Sequence, residues 1–522
     1  MSSTFFGLEL SRRALESQQA ALNITGHNIA NANTQGYTRQ IANLTATTPY
    51  SIPSMGRNLS LGSGVTLDTI TRARDSFVDR QFREENSKQQ YWTSQQDTLT
   101  KVEGVLNEPS TNSLSGDMTK FWTSWRDLSK EPENMGARSV VRERALTLTQ
   151  SFHNIDSQIT STQKDLDSNI RVQIGQINTY AKQIQELNVQ IKNAEVSGDN
   201  PNDLRDKREA LVDDLSKIVS VHVTEGKDPI STAARPVNTF KVTIGDDSNP
   251  ALVDDGKINL LADPGPSTSA SPFAAVKWAD TALNVTKDTW GNYVNLGTNA
   301  GTLLSNIESR GCAGLGTDGS GGYLDNFRTK FNTLAQGIAD AVNEIHKTGQ
   351  GTTAIVLPAT GMDFFTDGTA TPSTITAANL TLNSVINTGT DAGLGNIATG
   401  VIAATVASGD GSVASAISSL ADGWSTATTT EASFLATSLG DYYGAQVAEL
   451  GIMVQQANRM KAGEDVLLDN VKNQRESVSG VSLDEEMTNL IKFQKSYSAA
   501  ARMVTMMDSM LETIVNGMGI TR

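Results

Sequence analysis

The side chains that could do chemistry are few and scattered. Four histidines, His27, His153, His222 and His346, and one cysteine, Cys312, occur in 522 residues. A single thiol excludes an intramolecular disulfide and any multi-Cys zinc or iron–sulfur site. The histidines lie far apart in sequence, and no His-Glu-x-x-His is present. His346 falls near the end of a helical stretch, where a cation suits the helix dipole. The run Gly314-Leu315-Gly316-Thr317-Asp318-Gly319 has the glycine spacing of a dinucleotide-binding turn. That chemistry needs a strand before the turn and a helix opening at the phosphates. Here Leu303–Arg310, just before it, reads as helix, so a loop is expected. No Gly-x-Ser-x-Gly elbow anchors a nucleophile. The adjacent pairs Asp246-Asp247 and Asp254-Asp255 read as solvated turn carboxylates. Asp318, Asp367 and Asp410 sit in Gly-rich loops, but none has the ligand spacing of a calcium hand. The expectation is no catalysis, no metal and no cofactor.

Charge narrows the partners. Lys and Arg number 42 against 57 Asp and Glu, a net charge of −15. Phosphate contacts need cations, so nucleic acid and anionic membrane surfaces are poor partners. No run of 18 apolar residues is present, so no membrane-inserted helix is expected. Glu9, Arg12 and Arg13 fall where a cleaved signal peptide would be apolar. Ten Lys and Arg against twenty Asp and Glu fall in 225–440, and none of the former lies between Lys347 and Arg459.

The elements that would hold any site are mostly long helices. Leu8, Leu15, Leu22 and Ile29 recur every seven residues, predicting a helix over about Ser3 to Asn31 with a narrow apolar stripe. Near the other end, Leu483, Met487, Leu490, Gln494, Tyr497, Ala501, Val504, Asp508, Leu511, Val515 and Met518 alternate spacings of four and three, as in a coiled-coil seam. Phe493, Ala500, Met507 and Ile514 run beside it. Ser482 and Glu485 fit a capping box, and Asn516-Gly517 a stop. Ile170, Ile177, Ile184 and Ile191 mark a third helix over about Val140 to Glu195. The stretch Leu435–Val478 reads as a fourth, with Gly451 and Gly463 as weak points. The Thr/Ala/Ser/Gly-rich stretch Thr352–Thr430 reads as short strands and turns, such as Leu380-Thr381-Leu382. The fold expected is α+β, with paired N- and C-terminal coiled-coil-like helices, a helical bundle domain and a β-rich inserted outer domain. The divisions are 1–60 plus 480–522 for the terminal pair and 61–222 plus 323–350 plus 425–479 for the bundle. Residues 223–322 form the β-rich insertion, and 351–424 a β- and loop-rich segment on the bundle or outer domain.

After the first helix comes Asn28-Ile29-Ala30-Asn31-Ala32-Asn33-Thr34-Gln35-Gly36-Tyr37-Thr38-Arg39-Gln40. On local physics it is a helix stop and tight turn, because Asn tolerates left-handed backbone and Gly36 supplies a turn. The string also resembles the shared segment of the flagellar rod, hook and hook-associated protein family, in which Asn28, Asn31, Asn33, Thr34, Gly36 and Tyr37 match the common pattern. Arg39 and Gln40 resemble the hook-associated form. Three other stretches are similar to those members: Asn202–Arg208, Tyr323–His346 and Ser482–Tyr497. The likeness covers about 1–225, 323–350 and 430–522.

The resemblance implies a structural subunit of the flagellum, in a ring that adapts hook to filament. Its apolar seams would then serve subunit packing: Leu8, Leu15, Leu22 and Ile29 on one helix, and Leu483, Met487, Leu490, Tyr497, Ala501, Val504, Leu511, Val515 and Met518 on the other. It implies as partners further copies of the chain, the hook protein, a second junction protein and an export chaperone on the C-terminal helix. It implies export without a cleaved signal to an extracellular position. Two alternatives stay open. One is another axial role, in rod, hook or second junction. The other is a secreted binding or enzymatic module within 225–430.

Overall fold

The computed structural model describes residues 5–54, 57–108, 110, 113–232, 236–245, 249–265, 273, 276–279, 296–298, 300–311, 321–352, 361–369, 374–388, 390–402, 409–422 and 439–517. The first helix, α1 (Phe6–Ala30), packs along the last, α11 (Leu483–Gly517). Beside α1, β1 (Gln40–Ala46) pairs antiparallel with β4 (Val65–Arg72), and β2 (Tyr50–Ser54) with β3 (Arg57–Leu61).

The body is helical. It comprises α2 (Ser76–Leu106), α3 (Leu114–Lys130), α4 (Met135–Ser197), α5 (Asn202–Ile218), α6 (Gly301–Arg310), α7 (Tyr323–His346) and α10 (Leu439–Ser479). Caps set the boundaries. Phe77 N donates to Asp75 Oδ1 (2.8 Å) at the start of α2, and Gly136 N to Asn134 Oδ1 (2.8 Å) at the start of α4. Gly198, at φ 93°, ends α4 in left-handed backbone. The 63 residues of α4 span about 95 Å. Its Ile170, Ile177, Ile184 and Ile191 are all buried, as their spacing predicts. In α10, Gly451 and Gly463 face open space and do not interrupt the helix.

A four-stranded antiparallel sheet lies on α4 and α5: β5 (Val221–Lys227), β6 (Asn238–Ile244), β7 (Ala251–Asp254) and β8 (Lys257–Ile258). Next to it, β9 (Leu261–Ala262) pairs with β10 (Lys277–Trp278). The Thr-rich stretch departs from its strand reading. Leu380–Leu382 contributes only the two-residue β13 (Thr381–Leu382), paired with β12 (Phe365–Thr366). Elsewhere β11 (Gly349–Gln350) pairs with β14 (Gly400–Val401), and two short helices form, α8 (Asp391–Gly395) and α9 (Ser412–Ser419). Val413, Ala414 and Ile417 are buried where α9 packs on α3 and α7, so helical burial outweighs the β and turn propensity of the region. Ala354–Leu357, a β-type run in the same stretch, lies outside the described residues.

The core gathers around α3. Phe121, Trp125, Phe364 and Phe365 are fully enclosed, with ring centroids 4.9–6.3 Å apart. Arg138 is also fully buried and faces carbonyls. It donates to Pro132 O (2.8 Å), Ile397 O (2.6 Å) and Leu394 O (3.2 Å), tying the 394–399 segment to α4. Burial holds its guanidinium down at about 10.

His346 takes a structural role. It is no cation at a helix end. It is buried, accepts from Ala398 N through Nε2 (2.9 Å), and lies 2.7 Å from Met362 O through Nδ1. That pattern suits a neutral ring donating from Nδ1, and burial pushes its pKa down to about 4. The unfolded chain takes up a proton near 6.5 that the fold resists. Stability is therefore full above pH 6.5 and falls as pH drops towards 4, by about 3 kcal/mol. His346→Gln is expected to flatten that slope in urea titrations across pH 4–7. An unchanged slope would contradict this role.

Candidate functional site

The described residues hold no group of three or more His, Cys, Asp or Glu able to bind a metal. Cys312, the glycine run 314–319, Asp246 and Asp247 lie outside the described residues. Asp255 pairs with Lys192 Nζ (2.9 Å), and Asp410 accepts from Val401 N and Ser412 N. These carboxylates serve local structure.

The residues that come together are those of the Asn-rich segment. Asn28, on the last turn of α1, is 1 % exposed. Its Nδ2 donates to Gln40 O (2.9 Å), while Oδ1 accepts from Gln40 N (3.0 Å) and Tyr37 Oη (2.7 Å). The amide thus acts as a strand partner for the first residue of β1. Asn31 Nδ2 donates to His27 O (3.0 Å), satisfying a terminal carbonyl of α1. Thr34 N donates to Asn31 O (2.9 Å). Asn33 stays exposed on the turn. Gly36 has φ +78°, and a Cβ there would sit 3.2 Å from Ala210 Cβ on α5, so both conformation and proximity favour glycine.

Tyr37 through Gln40 tie three elements together. Tyr37 Oη lies 3.0 Å from His27 Nδ1. Burial, then Asp203, Asp206 and Glu486, push its hydroxyl pKa upward. Thr38 N donates to Asp206 Oδ2 (2.9 Å), and Gln40 Nε2 to Asp203 Oδ1 (2.9 Å), both on α5. Arg39 N donates to Ser479 O (3.0 Å), the last residue of α10. Its guanidinium donates to Glu486 Oε1 (2.8 Å) and Glu485 Oε2 (2.7 Å) on α11. One arginine therefore spans the bend between α10 and α11. Glu485 N donates to Ser482 Oγ (3.4 Å), so the serine half of the capping box forms while the Glu485 carboxylate turns to Arg39.

Beneath this joint lies a charge cluster that sequence reading missed. Asp206, Glu209 and Asp213 follow spacings of three and four on α5. Such a row reads as a solvated face, yet Asp206 and Glu209 are buried. Arg72 Nη1 donates to Asp206 (2.9 Å), and Arg83 donates to Glu209 and to Asp213 (2.8 Å). Arg475 on α10 pairs with Asp213 (2.6 Å) and Asp79 (2.9 Å). Burial alone would raise the Glu209 carboxyl; Arg83, Arg74, Arg208 and Arg72 outweigh it and hold it at about 2. The sequence carried no usable signal, because Arg74, Arg83 and Arg475 each have an acid next to them, Asp75, Glu84 and Glu476, and nothing local marks the carboxylates of α5 as their partners.

Arg39→Ala leaves Glu486, 2 % exposed, without its cation. The expected cost is about 2 kcal/mol, read as faster amide exchange over 479–490. Unchanged exchange there would contradict the clamp.

The terminal pair is thinly covered. Leu8, Leu15, Leu22 and Ile29 are half-buried, whereas the fully buried positions of α1 are small or polar: Ser11, Ser17, Ala21, Thr25 and Asn28. These are the positions that let β1 and β4 come close; Ser17 Oγ donates to Val65 O (3.3 Å). On α11, Leu490, Phe493, Ala500, Ala501, Val504, Met507 and Leu511 are half-buried. Leu483 (51 %), Met487 (52 %) and Tyr497 (36 %) are exposed. Among the described side chains of α11 only Glu486 is buried. The side chain of Val515 and all of Met518 lie outside the described residues.

Comparison with known proteins agrees with this layout. A family model described as the flagellar hook-associated protein FlgK helical domain matches residues 99–365. The flagella basal body rod protein model matches 8–38, and the flagellar basal body rod FlgEFG protein C-terminal model matches 472–517. The chain is 34 % identical to flagellar hook-associated protein 1 of Bacillus subtilis, over 100 % of this chain and 99 % of that one. It is 25 % identical to the Escherichia coli protein of the same name, over 96 % and 98 %. The solved structure of the flagellar hook junction protein FlgK from Burkholderia pseudomallei superposes with a TM-score of 0.58. It covers 77 % of this chain and 100 % of that one at 14 % identity, a likeness of fold.

Proposed function

Because the chain belongs to the flagellar hook-associated protein 1 family, we propose that it is a structural subunit of the bacterial flagellum that joins hook to filament. Copies of it form a ring at the hook tip, with the hook protein below and a second junction protein above. The observation that carries this reading is α11. It has 35 residues and a sustained apolar pattern, yet no described apolar side chain of it is buried within one chain. A helix that long gains its stability from packing, and here the missing cover comes from neighbouring subunits.

In this reading the terminal pair builds the tube wall and the body stands outside it. The joint at Arg39 holds the two at a fixed angle while side-by-side contacts adapt to unlike neighbours. No catalytic step is needed. Before assembly an export chaperone covers the C-terminal stripe, and the chain leaves the cell through the flagellar export channel without a cleaved signal. Full-length relatives of the same name, and a helical-domain match that the rod models do not supply, favour the junction over rod or hook.

Antibodies raised against 223–322 test the placement by immunoelectron microscopy. Label is expected as a narrow band between hook and filament. Label along the filament, or confined to the basal body, would contradict it.

A further inference from the structure

Thirteen methionines occur in the chain, and three of the most exposed share one face of one helix. Met503 (41 %), Met506 (52 %) and Met510 (52 %) on α11 fall at spacings of three and four, and Ile514 (42 %) continues the row. Met507, one position away on the helix surface, instead turns inward to α1; a Cβ on Gly7 would sit 3.0 Å from its sulfur. The exposed row is therefore continuous with the α1–α11 seam and borders it. By contrast Met118, in the body, is 4 % exposed.

We propose that Met503, Met506 and Met510 form a peroxide-sensitive modification site that controls whether the next copy's terminal helix pair can seat. The inference rests on the assembly reading above. Thioethers are unbranched and polarisable, so such a row adapts to a neighbour's helix. Each takes one oxygen from hydrogen peroxide: the O–O bond breaks, the sulfur loses two electrons to become a sulfoxide, and water leaves. The product is polar and chiral, and it disrupts an apolar contact. A dithiol, acting through a methionine sulfoxide reductase, returns the thioether, with a disulfide and water as the other products. Exposure makes the row reactive in the free chain, and a seated neighbour shields it.

The test uses the full chain and isolated hooks from cells lacking it. After limited peroxide, peptide mass spectrometry is expected to find sulfoxide at 503, 506 and 510 and not at 118. Oxidised chain is expected to lose co-sedimentation with hooks, and reductase with dithiol to restore it. The M503L/M506L/M510L variant, with Met487 (equally exposed on α11) also changed to leucine, is expected to seat with or without peroxide. Seating of fully oxidised wild type, or equal loss in the leucine variant, would overturn the inference while leaving the assembly reading intact. Should untreated wild type fail to seat on hooks, the assembly reading falls, and this inference with it. Should the leucine variant not seat even untreated, restoration of oxidised wild type decides: recovery supports the site, and its absence overturns it.

Discussion

Glu209→Gln is expected to destabilise the helical body by about 3–5 kcal/mol, the scale of removing one member of a buried ion cluster. The carboxylate lies at the meeting point of Arg74 and Arg83, both largely enclosed. Glutamine keeps the shape and loses the charge, so these guanidiniums lose the charge that offsets their desolvation. The effect is measured as a lower urea midpoint with an unchanged slope. Acid gives the same answer from the other side. With the carboxyl at about 2 in the fold against 4.5 unperturbed, its contribution is full above pH 4.5 and disappears as pH falls towards 2. The variant is expected to lose that part of the acid dependence. A midpoint within error of wild type would show that the cluster is not a stabilising centre.

Val504→Glu is expected to abolish filaments while leaving the body folded. Val504 is half-buried against α1, and the contiguous apolar core of the molecule contains no residue of α1 or α11. In the proposed assembly, fold stability and subunit packing would therefore be carried by different parts of the chain. A carboxylate in the seam costs little to the monomer, but every copy in a ring brings one into the wall. The expected result is non-motile cells with an unchanged melting curve for the purified chain. Normal motility would contradict the seam's role, and a collapsed melting curve would contradict the separation of stability from assembly.

Much of the fold was legible in the sequence, for identifiable reasons. The isoleucine row of α4 is buried because a strict seven-residue spacing keeps one face inward. The terminal stripes were legible as helices but not in their facing. On α11 the face against α1 combines Leu490, Ala501, Val504 and Leu511 from one row with Phe493, Ala500 and Met507 from the next. Leu483, Met487 and Tyr497 fall to its side. A straight helix drifts about 20° per heptad, and one partner helix covers only part of a wide stripe. The joint was only half legible. Asn28, Asn31 and Gly36 announced a stop and turn. Nothing local showed that Asn28 bonds the Gln40 backbone, or that Arg39 reaches Glu485 and Glu486 more than 440 residues away. The buried acids of α5 and the neutral His346 were illegible because their partners come from distant segments, and an acidic helix row looks solvated until those partners are placed.

The central claim is that the chain sits at the hook tip and is required for filament attachment. The most direct measurement is a clean deletion in its own host, with electron microscopy of the cells and an assay of flagellin in the medium. Hooks without filaments, together with flagellin monomers shed into the medium, are the expected result. Normal motile filaments on the deleted cells, or basal bodies without hooks, would contradict it.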